Sequence, residues 1–203
     1  MKVVVVNYEM GNIYSILSVL SFLEVEHIYS NDPNVIEGAD RIILPGVGSY
    51  KKAMQNIALM NLDVAIKHAV LVKGIPVLGI CLGMQIMGKS GTEDGFTRGL
   101  GFFDGIVEGF NVSEYKLKIP HTGYNEVQKP LKSKLYQGID NGSDFYFVHS
   151  YRMATTVQEG NAYCNYGEKF VASFEQQNIY GTQFHPEKSQ MNGILLLKNF
   201  IKN

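Results

Sequence analysis

Short apolar runs that alternate with helical patterns restrict the possible folds of this chain more than any other feature. We predict strands at residues 2–7, 27–30, 41–44 and 76–80, with helical patterns between them. Runs this continuously apolar are typical of parallel strands covered on both faces. Strand and helix in alternation favour an α/β fold built on a mostly parallel sheet with right-handed crossovers.

Two helices are predicted between these strands. The first follows Asn12, a residue type that caps helix N-termini, and its apolar positions 13, 16, 17 and 20 have helical spacing. The second covers residues 50–73. Both helices are placed to pack against the sheet.

The second half of the chain has a different pattern. Residues 100–175 contain short alternating stretches separated by Gly and Asn turns, for example 145–149 and 170–174. These indicate antiparallel strands that flank or extend the parallel core. A last strand at 179–184 and a helix at about 191–202 complete the prediction. With no repeat or linker, we expect residues 1–203 to form a single domain around a mixed sheet.

The amino-acid composition argues against several classes of function for this chain, as its charge and cysteine content show. The net charge of −1 and the absence of a basic run give no electrostatic reason to expect nucleic acid as a partner. Two cysteines exclude a disulfide framework and favour a reducing compartment, so we expect a cytoplasmic protein. The apolar N-terminal run is too short for a signal peptide. The apolar stretch 69–87 is interrupted by Lys73, Gly74 and Pro76, so no membrane span is predicted.

A candidate nucleophile follows the fourth strand. Cys81 stands in the sequence Gly79-Ile80-Cys81-Leu82-Gly83, just before a short helical pattern at 84–87. Small residues two positions before and after a nucleophile permit a sharp strand-to-helix turn that exposes it, and the helix N-terminus favours a thiolate. Such a cysteine can attack amides through a thioester. The alternative, a buried structural thiol, is what we assign to Cys164.

A candidate base follows the last strand. In Phe184-His185-Pro186-Glu187, an extended backbone would point His185 and Glu187 to the same side. Glu187 could then orient the imidazole while its other nitrogen faces Cys81, the logic of a catalytic triad. The alternative is a surface His-x-Glu pair without a role. His27 and His68 are predicted to be structural or solvated.

Backbone amides can supply an oxyanion hole. The N–H of Leu82 directly follows the nucleophile, and the loop Pro45-Gly46-Val47-Gly48 offers a second donor near Val47, because glycines let a peptide reorient. A simple turn is the alternative for that loop. The Cys and His residues lack zinc-like spacing, so neither a metal nor a cofactor is predicted.

Together these motifs resemble the class I, triad-type glutamine amidotransferases over essentially the whole chain. Several segments are similar more specifically to the glutaminase subunit of imidazole glycerol phosphate synthase. These segments are Tyr8-x-Met10-Gly11-Asn12, Pro45-Gly46-Val47-Gly48, Pro120-His121-x-Gly123, Tyr146-Phe147-Val148-His149-Ser150-Tyr151 and Phe184-His185-Pro186-Glu187-Lys188-Ser189.

The resemblance implies roles for particular residues. Cys81 would be the nucleophile, His185 the general acid and base, and Glu187 its orienter. Around the amino-acid end of glutamine the family pattern places Gly48, Gln85, Ser150 and Tyr151, although Gln85 could instead be an exposed helix residue.

The resemblance also implies a partner. A cyclase subunit with a (β/α)8 barrel would form a heterodimer with this chain and receive its ammonia for histidine biosynthesis. The segments that meet the partner in the family contain Asn12, Tyr124, Tyr146 and Lys188. The peptide at Gly46–Val47 is expected to reorient only when the loaded partner is bound.

Four departures from the family pattern leave the acceptor pathway open. Asn7 and Glu9 stand where many members have Asp and Gly, and Thr122 and Tyr124 where Met and Trp are usual. An alternative is therefore a glutaminase that supplies a surface-glycan amino-sugar amidotransferase. A catalytically silent regulatory subunit and a stand-alone cysteine hydrolase are further alternatives.

Overall fold

The computed structural model describes residues 1–11, 13–111 and 118–203. Its strands are Lys2–Val6 (β1), Glu26–Ser30 (β2), Arg41–Leu44 (β3), Val77–Ile80 (β4), Ser90–Gly91 (β5), Thr97–Arg98 (β6), Ile106–Gly109 (β7), His121–Val127 (β8), Ser143–His149 (β9), Tyr151–Ala154 (β10), Asn161–Tyr166 (β11), Glu168–Gln176 (β12) and Ile179–Thr182 (β13). Its α-helices are Tyr14–Phe22 (α1), Pro33–Glu37 (α2), Tyr50–Leu59 (α3), Leu62–Lys67 (α4), Leu82–Ile86 (α5) and Gln190–Lys202 (α6).

A mostly parallel sheet forms the centre of the structure. Its seven strands have the order β11-β12-β13-β4-β3-β1-β2. All pairs from β13 to β2 are parallel, whereas β12 and β11 are added at one edge in antiparallel orientation. The predicted α/β class with a mostly parallel mixed sheet is confirmed. The central position of β4 and its neighbour β13 brings the ends of both strands to one edge.

Apolar side chains fill both faces of this sheet. In β1, Val4 and Val6 pack on one side with α2, α3 and α4, while Val3 and Val5 pack on the other with α1 and α6. All four valines are completely buried. Successive side chains of a strand point to opposite faces, so an unbroken apolar run is what a sheet covered on both sides requires.

Two smaller sheets lie beside the central one. Strands β8 and β9 form an antiparallel ribbon, and β10, β7, β5 and β6 form a four-stranded sheet. Phe145 and Phe147 of the ribbon are completely buried in the core shared with α1 and α6. The prediction of antiparallel strands that flank or extend the core is therefore confirmed, because β12 extends the main sheet and β9 flanks it.

The main difference from the predicted elements is in residues 50–73. We predicted one helical segment, but α3 ends at Leu59, α4 begins at Leu62, and a π-helical turn covers His68–Val72. The break lies at Asn61, whose φ of 54° is left-handed, a conformation that asparagine adopts more readily than most residues. Helix α5 also begins earlier than predicted, directly after Cys81. Asn12, the predicted cap of α1, lies outside the described residues.

Candidate active site

Cys81 occupies a sharp turn between β4 and α5. Its φ of 53° and ψ of −108° lie outside the regions that L-residues normally adopt. The turn is held by a backbone hydrogen bond of 2.7 Å from the Cys81 N–H to the carbonyl oxygen of Thr182, at the end of the adjacent strand β13. A strained backbone at a nucleophile is typical of the strand–nucleophile–helix elbow.

Glycines let α5 pack closely behind this turn. A Cβ on Gly83 would overlap the carbonyl oxygen of Leu44, and one on Gly79 would overlap the backbone of α5. A Cβ on Gly46 would meet the Tyr8 hydroxyl and the Leu82 side chain. The loop after β3 therefore lies directly against the residue that follows the nucleophile.

His185 and Glu187 form a buried pair at the end of β13. The Nδ1 of His185 lies 2.7 Å from Oε1 of Glu187, and both side chains are only 3% exposed, so the pair is not on the surface. The premise of an extended backbone was wrong, because Pro186–Lys188 forms a 3-10 turn. That turn still directs the carboxylate to the ring and fixes the proton on Nδ1.

The second nitrogen of His185 is free to act. Within the described residues, no oxygen or nitrogen atom binds the buried Nε2 of His185, and the Cys81 sulfur is the group that acts on it. Burial lowers the pKa of His185, but the neighbouring Cys81 sulfur and the Glu187 carboxylate outweigh burial, so the net pKa is raised. The raised pKa favours the protonated imidazole beside the Cys81 sulfur.

A cavity of about 350 Å³ opens beside this group. Its lining contains all four residues that the resemblance assigned to glutamine, namely Gly48, Gln85, Ser150 and Tyr151. Val148 also lines it, and its carbonyl oxygen lies 3.8 Å from the Cys81 sulfur. Cys81 and His185 do not line this cavity themselves, and Val148 connects the Cys81 thiol to a pocket of suitable size for a small amino acid.

Gln85 is held in a defined orientation. It is 5% exposed, and its Nε2 donates to the carbonyl oxygen of Tyr151 and to Oε1 of Gln183, each at 3.1 Å. Both N–H bonds are thus used within the protein, and Oε1 is left as the atom that a ligand could reach. The alternative of an exposed helix residue does not hold for Gln85.

The two predicted oxyanion donors come from segments that pack together, because a Cβ on Gly46 would lie 3.1 Å from the Leu82 side chain. Leu82 is the first residue of α5, where backbone N–H groups have no acceptor within the helix. Val47 is 41% exposed in the loop between β3 and α3, and the following Gly48 has a φ of 109° that only glycine adopts easily.

Three of the residues predicted to meet a partner form one surface cluster. The Tyr124 hydroxyl donates to the carbonyl oxygen of Lys188 at 2.8 Å, and the Tyr124 and Tyr146 rings are 5.5 Å apart. The Lys188 ammonium lies 5.9 Å from the centre of the Tyr146 ring. The cluster adjoins the triad, because the N–H of His185 donates to the Tyr146 carbonyl. Asn12, the fourth residue, lies outside the described part of the chain.

A buried histidine pair adjoins the cavity, and sequence reasoning gave it no role. His149 Nδ1 lies 2.8 Å from the Tyr151 carbonyl oxygen, which can only accept, so His149 Nε2 carries no proton and accepts from His121 Nδ1 at 3.0 Å. Burial lowers the pKa of His149 to about 3 and that of His121 to about 4. The neutral pair therefore braces the backbone that Gln85 binds.

Sequence reasoning also missed Glu93 and Gln183. Glu93 lines the cavity, and its carboxylate accepts the Tyr50 N–H at 2.7 Å. Gln183 is completely buried beside Cys81. Neither a single acidic residue in a loop nor a glutamine directly after an apolar strand forms a recognisable motif. Only the position of Gln183 two residues before His185 could have indicated it.

The remaining cysteine and histidines behave as predicted. Cys164 is 1% exposed, and burial raises its pKa to about 12, so it stays an unreactive core thiol. His27 binds the Val25 carbonyl, and His68 binds Glu37. In the described ranges no cluster of potential metal ligands occurs. No helix in those ranges is long and apolar enough to span a membrane.

A thiol, an acid-oriented imidazole and nearby free backbone amides are the parts required for acyl transfer through a thioester. The family model for class-I glutamine amidotransferases matches residues 4–203. The chain therefore belongs to the class-I glutamine amidotransferase family, and the predicted family is confirmed.

Comparisons within this family are more specific. Imidazole glycerol phosphate synthase subunit HisH 1 of Campylobacter jejuni (strain RM1221) is 44% identical over 98% of this chain and 99% of its own length. Imidazole glycerol phosphate synthase subunit HisH 1 of Parasynechococcus marenigrum (strain WH8102) is 40% identical over 98% of this chain and 97% of its own length. The structure of PurLQS from Thermotoga maritima has a TM-score of 0.74 at 17% identity, covers 99% of this chain and 97% of that one, and supports the fold.

Proposed function

We propose that this chain is the glutaminase subunit of an imidazole glycerol phosphate synthase. It would hydrolyse L-glutamine to glutamate and ammonia in a single amidotransferase domain. The observation that carries this proposal is the strained Cys81 beside the buried His185–Glu187 pair, at a cavity lined by the expected glutamine-binding residues. Near-full-length similarity to subunits named HisH supports the histidine pathway over a surface-glycan acceptor.

The proposed reaction begins with the ionised pair of Cys81 and His185. The thiolate forms a bond with the side-chain carbonyl carbon of glutamine, and the carbonyl electrons move to oxygen. Backbone N–H groups of Leu82 and Val47 stabilise the resulting oxyanion. When the C–N bond breaks, the leaving nitrogen takes the proton from Nε2 of His185 and departs as ammonia.

The second half of the reaction regenerates the thiolate. Neutral His185 removes a proton from water, whose oxygen attacks the thioester carbon. The C–S bond then breaks and glutamate leaves, while Glu187 stabilises the imidazolium in each half-reaction.

The cavity residues account for recognition of the amino-acid end of the substrate. A free carboxamide oxygen on Gln85 and the carboxylate of Glu93 are acceptors suited to an α-ammonium group. Gly48, Ser150 and Tyr151 would position the α-carboxylate through hydrogen-bond donors.

We infer further that the ammonia passes to a cyclase subunit with a (β/α)8 barrel, bound as a heterodimer at the cluster of Tyr124, Tyr146 and Lys188. This cluster lies next to the triad, so partner binding there could act on the site directly. A cytoplasmic location fits both free cysteines.

Glutamate release from glutamine tests this proposal. We would measure it for the chain alone, with the cyclase subunit from the same organism, and with that subunit's phosphoribosyl substrate present. We expect strong activity only in the loaded complex, and loss of it in Cys81→Ala. The control Cys164→Ala removes the other thiol and should keep the activity.

Glutamine turnover that the partner enables, but that the partner's substrate does not increase, would contradict the histidine pathway. Full activity without a partner would contradict the subunit assignment, and no turnover in the loaded complex would leave a silent regulatory subunit.

A further inference from the structure

Gln183 is a buried polar residue that the reaction described above does not use. It directly follows β13, and its side chain is completely buried. Its backbone N–H donates to the Ala172 carbonyl at 2.8 Å, which fixes the main chain at this point. Burying a carboxamide costs free energy unless its oxygen and its nitrogen both have hydrogen-bond partners. The partners of these two atoms therefore indicate what holds Gln183 in place.

The orientation of the Gln183 carboxamide follows from its neighbours. Gln85 also binds the Tyr151 carbonyl, which can only accept, so the Gln85 atom that faces both groups is the donor Nε2. The Gln183 atom facing Gln85 is therefore the acceptor Oε1. This leaves Nε2 of Gln183 directed at the Cys81 sulfur, at 3.7 Å.

Two neutral groups thus compete for the Cys81 sulfur. The Val148 carbonyl, at 3.8 Å, can only accept and interacts favourably with the protonated thiol. The Gln183 N–H can only donate and interacts favourably with the thiolate, the reactive form. Gln183 also connects the nucleophile to Gln85, which lines the cavity.

We propose that Gln183 is a positioning residue that donates a hydrogen bond to the Cys81 sulfur and keeps it in register with Gln85. The inference rests on the proposed glutaminase function for its biological meaning. The predicted effect on the Cys81 thiol can be measured without the partner subunit and without glutamine.

The test is the rate at which iodoacetamide alkylates Cys81 as a function of pH. All variants would be made in a Cys164→Ala background, which leaves Cys81 as the sole thiol. Gln183→Met keeps the volume but removes the donor, and we expect alkylation at pH 7 to slow roughly 10-fold, with the midpoint of the pH profile about one unit higher. Gln183→Glu should shift the midpoint further, because it adds a like charge. The control Gln55→Glu changes an exposed glutamine of α3 and should have no effect.

A second variant keeps the proposal testable if Gln183→Met does not fold. Gln85→Leu removes the hydrogen bond that holds the Gln183 carboxamide but leaves Gln183 itself in place. This variant should also slow alkylation of Cys81. Where both variants fold, their effects should be non-additive in the double variant. In the loaded complex, Gln183→Met should lower kcat more than it raises KM.

The possible outcomes separate the two proposals. Unchanged alkylation in both single variants would overturn the role of Gln183, even if the wild type hydrolyses glutamine. A shifted pH profile in a chain that never releases glutamate would support the positioning role while the proposed function fails.

Discussion

At the scale of single residues, the site depends on one proton position. Glu187 accepts from Nδ1 of His185, which leaves Nε2 as the nitrogen that exchanges protons with sulfur and substrate in the proposed mechanism. The same carboxylate contributes to the raised pKa of His185 against the opposing effect of burial. In the proposed mechanism, one contact of 2.7 Å therefore carries both the orienting and the electrostatic role of Glu187.

Glu187→Gln tests this contact at nearly constant volume. We expect kcat in the loaded complex to fall on the order of 100-fold, because an amide can favour the wrong tautomer and does not stabilise the imidazolium. The His185 pKa should also fall, so activity should be lost at a lower pH on the alkaline side of the profile. Glu126→Gln, on the exposed face of β8, is the control. A kcat within threefold of wild type would remove Glu187 from the mechanism.

At the scale of elements, the position of Cys81 depends on close packing of α5 against the end of β3. The contact is possible because Gly83 has no side chain, so that the Leu44 carbonyl approaches the helix backbone. On the other side, β4 and β13 are joined in parallel register with Ile80 opposite Thr182. Helix and strand together determine where the sulfur points.

Gly83→Ala should therefore displace α5. We expect the free energy of unfolding, measured in urea, to fall by about 2–3 kcal/mol, since overpacking a tight contact forces backbone movement. Glutaminase activity should fall as well, because Cys81 moves with the helix. In the control Gly109→Ala the nearest atom to the new Cβ is 4.0 Å away, so stability should change little. Equal stability of both variants would show that the packing at Gly83 is not tight.

Residues 50–73 show why element boundaries were only partly predictable. The apolar spacing correctly indicated helix, and α3 and α4 both bury apolar faces. The break at Asn61 depends on a single left-handed residue, and helical periodicity does not report single φ angles. In contrast, β3 was predicted to the residue, since Arg41 and Pro45 bound its apolar run.

At the scale of the whole molecule, buried neutral histidines make stability depend on pH. His121 and His149 join the β8–β9 ribbon to the cavity wall, and burial holds the pKa of each well below its ordinary value of 6.5. The unfolded chain takes up protons at these residues below pH 6.5, whereas the folded chain resists until about pH 4 and 3. Their contribution to stability is thus present above pH 6.5 and lost on acidification.

Urea unfolding at pH 6.5 and 5 measures this effect. For His149 alone we expect the wild type to lose about 1.5 kcal/mol between these values. His149→Gln keeps a donor for the Tyr151 carbonyl and an acceptor for His121, but does not titrate. Its loss over the same interval should be smaller by that amount. An equal loss in wild type and variant would show that His149 is protonated in the folded state.

The sequence alone determined the class of fold and indicated the candidate reactive groups. Unbroken apolar runs such as 3–6 require a sheet covered on both faces, and glycines around Cys81 permit a tight turn. Both constraints are local, because they follow from side-chain alternation and from backbone sterics. The His185–Glu187 pair was also local, although a 3-10 turn rather than an extended backbone brings it together.

Only the tertiary structure decided which distant groups meet. The pairing of β4 with β13 brings Cys81 and Gln183 together from positions 102 residues apart. The ribbon β8–β9 contributes the His121–His149 pair, and a loop contributes Glu93 to the cavity. No local sequence pattern marks these groups. Their hydrogen-bond partners depend on strand order and register, and local periodicity gives no information about either.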